Sequence, residues 1–102
     1  MSAPDYSNVP GWEIISAGLS ALEQGDENST EALCVRMIAP RLVAFGIPFN
    51  YQEKEEPLQI RLKMYYSLAD QLDPYSAFNA LQRRLASFCS IAESMMQRSS
   101  SR

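Results

Sequence analysis

The side chains best suited to chemistry in this 102-residue sequence are Cys34 and Cys89, the adjacent carboxylate pairs Asp26-Glu27 and Glu55-Glu56, and a few cations. Histidine, the commonest proton carrier near neutral pH, is absent. Neighbouring residues on a helix or turn point apart, so neither carboxylate pair shares one site; both read as helix-start and loop charge. A cysteine nucleophile needs a basic neighbour, whereas Cys89 stands between Phe88 and Ser90, with Ile91 beyond. The four glycines are scattered and form no phosphate-cradling loop, and two cysteines without histidine match no usual zinc spacing. No catalytic residue, cofactor or metal is therefore expected.

Arg61 and Lys63, with Arg83 and Arg84, are the only basic groupings, and at about 100° per residue their members diverge around a helix. Nine basic against twelve acidic residues give a net charge of −3, which opposes attraction to nucleic acid or an anionic membrane. A helical DNA-binding regulator stays a minor alternative, tested by a mobility shift at low salt. Residues 1–51 hold six acids and two bases, and residues 52–102 hold six acids and seven bases. No apolar run is long enough to span a bilayer, and the start, Met-Ser-Ala-Pro-Asp-Tyr, lacks the basic and apolar regions of a signal peptide. Cytoplasmic residence follows as the expectation, with two reduced, buried thiols rather than a disulfide.

The elements that position these groups are helices. The periodicity predicts an all-α domain, a small bundle of about four helices over residues 10–97, with an irregular arm at 1–9 and a frayed tail at 98–102. Helix 1 begins near Pro10 and stops at Gly25, with Trp12, Ile15, Leu19 and Leu22 on one face. A second face of Ile14, Ala17, Gly18 and Ala21 is small enough for another helix or a partner to come close. Asn28 and Glu31 suggest a capping box for helix 2, which Pro40 should kink or break. Helix 3 runs from Pro57 to Leu72, Asp73 and Pro74 start helix 4, and the two form an antiparallel hairpin.

Helix 4 carries Phe78, Leu81, Leu85, Phe88, Ala92 and Met95 at alternating intervals of three and four, a heptad seam. Helix 3 offers Leu58, Leu62, Tyr65, Ala69 and Leu72 in answer, and the core is placed between these seams. Helix 3 then has apolar side chains to spare, because Ile60, Met64 and Leu68 form another flank and Tyr66 lies on the other side. The aromatics Phe49 and Tyr51 stand beside charged residues 53–56, as in an interface with a polar rim. Phe49, Tyr51, Ile60, Met64 and Tyr66 are accordingly the candidate partner-binding residues.

The function expected is a non-catalytic protein-binding module, a small inhibitor that sterically blocks a larger protein, such as an immunity protein or a phage-borne anti-defence protein. An adaptor, a secretion chaperone or a homo-oligomeric assembly subunit, including a homodimer, satisfies the same apolar surplus.

Overall fold

The computed structural model describes residues 4–100: four helices, α1 (Trp12–Glu23), α2 (Thr30–Ala44), α3 (Pro57–Ser67) and α4 (Pro74–Ser100). They form a small all-α bundle of 46 × 26 × 21 Å. At about 1.5 Å per residue, α4 is about 40 Å long and sets the greatest dimension. Among the described residues no helix is long and apolar enough to cross a membrane.

Local signals start and stop most of these helices. Gly25, at φ 84°, ends α1 in the left-handed conformation expected of it. Asp73 caps α4 by accepting the Ser76 N–H at 3.2 Å and the Ser76 hydroxyl at 2.8 Å. Three boundaries differ from the expectation. α1 begins at Trp12, not Pro10. The N-cap of α2 is Ser29, whose Oγ accepts the Ala32 N–H at 3.2 Å, because Asp26 Oδ1 folds the preceding turn by accepting the N–H groups of Asn28 and Ser29. α3 ends at Ser67 rather than Leu72, where the Ser67 hydroxyl donates to the Met64 carbonyl at 2.7 Å and shorter-range turn bonds replace the helical ladder.

α2 passes through Pro40 as one unbroken helix. α1 and α2 make the closest pairing, through Gly18 against Glu31 and Val35. Ile14 and Gly18 of the small-residue face of α1 are thus consumed inside the fold, while Ala17 stays exposed and Ala21 half-buried. α3 and α4 run antiparallel, with the Tyr65 and Phe78 rings 5.6 Å apart near the turn.

Of the seam expected on α3, Leu58 and Leu62 face outward, and Tyr65 stays half-buried against Phe78. Ile60 and Met64 are 2% and 0% exposed, while Leu58 and Leu62 are 65% and 47% exposed. α3 leans chiefly on α2, where the Cys34 thiol donates to Met64 Sδ at 3.6 Å, and only lightly on α4. On α4 the seam is as read: Leu85, Phe88 and Ala92 are buried, and Phe78, Leu81 and Met95 pack at its ends.

The first described residues are irregular, but they belong to the core. Tyr6 and Val9 are buried, and the Tyr6 ring packs near Phe45 and Phe88 at centroid distances of 6.3 and 6.2 Å. Its hydroxyl donates to the Phe45 carbonyl at 2.7 Å, satisfying an acceptor at the end of α2. Tyr6→Phe removes that donor and leaves a buried carbonyl unpaired, so a loss of about 1–2 kcal/mol is expected in urea unfolding. An unchanged midpoint would show that water replaces the hydroxyl. At the other end α4 extends to Ser100, so the expected tail is helical over 98–100, and residues 101–102 lie outside the described part.

Candidate functional site

The only long connection, 45–56, carries no regular secondary structure, yet it is pinned to the bundle from both ends. Ile47 is buried beside Phe45, and its N–H donates to the Leu42 carbonyl at 3.0 Å. At the far end Arg36, from the middle of α2, reaches into the connection and is itself 4% exposed. Its Nε donates to Glu53 Oε1 at 2.9 Å, and one terminal nitrogen donates to Glu53 Oε2 at 2.7 Å and to Glu55 Oε1 at 2.8 Å. The other terminal nitrogen donates to the Glu27 carbonyl at 2.8 Å.

This is the fork-shaped, bidentate pairing that a guanidinium makes and an ammonium cannot. Tyr51 covers it, with the guanidinium carbon 5.3 Å from the ring centroid, and donates its hydroxyl to Glu27 Oε1 at 3.3 Å. Lys63 from α3 completes the cluster at 2.6 Å from Glu55 Oε1. The hydrogen bond from Arg36 holds the Glu53 carboxyl below its ordinary range, and that from Lys63 does the same for Glu55, with Arg36 second. The bond to Glu53 in turn raises Arg36 above the usual arginine value, so it stays charged.

Held in this way, the connection forms one wall of a groove of about 580 Å³ whose other wall is α1. Trp12, Leu19 and Leu22 come from the helix, and Ile47, Pro48 and Phe49 from the connection. Glu23, Asn50 and Tyr51 also line it, and the Phe49 and Tyr51 rings meet edge to face at 6.3 Å. An apolar floor with a few polar groups is the usual constitution of a binding groove.

The second uncovered surface is the outer side of α3. Leu58, Leu62 and Tyr66, four residues apart, stand on one side of the helix, and Tyr66 is 67% exposed. Leu72 and Tyr75, in and just after the following turn, are exposed as well. A helix that is apolar on two opposite sides can bury only one of them against its own bundle.

No family model, curated protein or solved structure matches this chain. Its own geometry therefore carries the functional reading.

Of the five partner-binding candidates, Phe49 and Tyr51 come together in the groove, and Tyr66 stands apart on the outer row of α3. Ile60 and Met64 are corrected to core residues, because the flank they form is the one α3 turns toward α2 and Cys34. Reading residue types alone missed Arg36, Leu58 and Leu62. Arg36 did leave a signal: one cation inside the apolar run Leu33-Cys34-Val35-Arg36-Met37-Ile38 requires a buried partner, and Glu53 and Glu55 stand in the one connection long enough to bring it.

Both thiols are free and buried. Burial pushes Cys34 up to about 12, with Glu31 adding to the effect, and burial also raises Cys89. Neither forms a thiolate near neutral pH. Among the described residues no three carboxylates or thiols gather closely enough to hold a metal ion.

Proposed function

We propose that this protein is a small cytoplasmic, non-catalytic binding module that docks on a larger protein and blocks it sterically. The observation that carries this reading is the outer row of α3, where Leu58, Leu62 and Tyr66 face solvent at 65, 47 and 67% exposure. Single exposed apolar residues are ordinary on a protein surface; a row of them along one helix, anchored below by Ile60 and Met64, is the form of a helix-in-groove contact. The fold holds α3 from behind, through Arg36 on Glu55 just before its first turn, a carboxylate that Lys63 of α3 also engages, and the Thr30 hydroxyl on Ser67 Oγ at 2.8 Å at its last turn. A preformed helix loses little further freedom on docking, which favours affinity.

Leu58→Ser, Leu62→Ser and Tyr66→Ser combined test the reading. These positions contribute little to the core, so the melting temperature of the triple variant is expected to stay close to that of the parent. A protein retained by the parent as bait and lost with the variant supports the proposal. A parent that is dimeric by light scattering, near twice 11.5 kDa, and a variant that is monomeric would assign the row to self-association instead. Parent and variant retaining the same proteins would remove α3 from the interface.

A further inference from the structure

The outer row of α3 projects; the groove between α1 and the 47–51 segment receives. Its apolar lining is extensive, and its charge has one sign. Glu23 is the one carboxylate among the lining residues, and none of them is a lysine or arginine. A second carboxylate, Glu27, sits at the Tyr51 end of the groove, where it accepts the Tyr51 hydroxyl at 3.3 Å. Arg36 lies beneath Tyr51, but its charge is balanced by Glu53 and Glu55, and it is nearly excluded from solvent. Asp26, in the same turn as Glu27, directs its carboxylate at the N–H groups of Asn28 and Ser29 and adds no cation.

We infer that this groove docks a segment of another protein in which apolar side chains are flanked by lysine or arginine. The apolar side chains replace water against Trp12, Leu19, Leu22 and Phe49, and the cation is drawn to the Glu23 and Glu27 end. Phe49 and Tyr51 thereby act as the walls of a receptor rather than as anchors thrust into a partner. The Arg36 clamp keeps the 47–56 segment in place before binding, so the groove exists without its occupant. The acidic excess of residues 1–51, six acids against two bases, adds long-range attraction for such a segment that salt screens.

Trp12 is the single tryptophan in the sequence and lines the groove, so its fluorescence reports occupancy directly. The probes are two synthetic peptides with the same leucine pattern, one carrying lysine and the other glutamate at every polar position. Titration of the intact protein with the leucine-lysine peptide is expected to shift Trp12 emission to shorter wavelength and to saturate. The leucine-glutamate peptide should bind at least about tenfold more weakly.

Glu23→Lys changes only an exposed position and is expected to weaken the leucine-lysine peptide by up to about fivefold. Phe49→Ala removes part of one wall and should cost about tenfold or more, with circular dichroism checking that the helices persist. Equal binding of both peptides, or lysine-peptide binding untouched by both Glu23→Lys and Phe49→Ala, overturns the inference. So does a Trp12 response to neutral decanol with none to either peptide, which would make the groove a small-molecule site. Every readout here is at Trp12, so the outcome does not depend on the α3 row.

Discussion

Arg36→Ala is expected to destabilise the domain by about 3 kcal/mol, because it strands the Glu53 carboxylate, leaves the Glu27 carbonyl without its donor and takes from Glu55 one of its two cations. The lower end of the range for broken buried pairs applies, since Glu53 and Glu55 keep about a quarter of their side-chain surface in water, 26% and 27%. For a domain of this size such a loss lowers the melting temperature by roughly 12 °C or more. The same substitution frees the 47–56 segment, so the Trp12 response to a groove-binding peptide should weaken as well.

Removing the carboxylate charges that faced Arg36 reverses part of the damage. Glu53→Gln combined with Glu55→Gln, added to Arg36→Ala, is expected to recover stability because neutral amides cost less to leave without the guanidinium. If Arg36→Ala melts within a degree or two of the parent, the cluster contributes nothing net and the connection is held by Ile47 and Phe49 alone.

The cluster also predicts an acid dependence with a definite sign. Glu53 and Glu55 titrate in the folded protein below their ordinary value of 4.5, Glu53 chiefly through Arg36 and Glu55 through Lys63 and Arg36. The unfolded chain therefore binds protons first as pH falls. Their contribution to stability is complete above 4.5 and is lost as pH drops through the lower native values. Melts taken between about pH 6 and pH 3 should fall more steeply for the parent than for Arg36→Ala. Parallel curves would mean that other carboxylates govern acid unfolding.

Gly18→Ala is the second large effect, expected to destabilise by about 2–3 kcal/mol even though alanine is the better helix former. A Cβ at Gly18 would press on the Glu31 carbonyl oxygen and Val35 Cγ2 and lie 2.9 Å from the Glu31 carbonyl carbon. Two of these three contacts are backbone, which cannot turn aside as a flexible side chain can. The helices must separate, loosening the α1 to α2 contact on which Ile15, Leu33 and Val35 depend. The roughly 1 kcal/mol gained from helix propensity does not offset this. Urea unfolding measures it: a midpoint equal to or above that of the parent would show that α1 can slide to make room.

Much of the fold was legible because its signals are local. Asp73-Pro74 and the glycine after α1 act through their own backbone geometry, and the α4 seam from Phe78 to Met95 repeats cleanly enough to name its buried side. Position and burial at longer range were not. Asn28 and Ser29 both suit an N-cap, and the choice fell to Ser29 only because the Asp26 carboxylate folds the turn before it. The candidate site was half legible: Phe49 and Tyr51 stood out by type and setting, but Trp12, Leu19 and Leu22, the opposite wall, belonged to a helix face with no visible reason to stay partly open.

The amino-acid sequence by itself determined the all-α class, the number and order of the helices and the inward side of α4, because periodicity, caps and prolines act within a few residues. Tertiary structure alone decided which side of α3 is buried, since Ile60-Met64 and Leu58-Leu62-Tyr66 are both apolar stripes and differ only in what α2 presents to them. It also decided that Tyr6 belongs to the core and that Arg36 closes the groove, because both depend on partners distant in sequence: Phe45 for Tyr6, Glu53 and Glu55 for Arg36. Local pattern is degenerate wherever a segment has two faces of equal hydrophobicity, and only the packing of the whole chain removes that degeneracy.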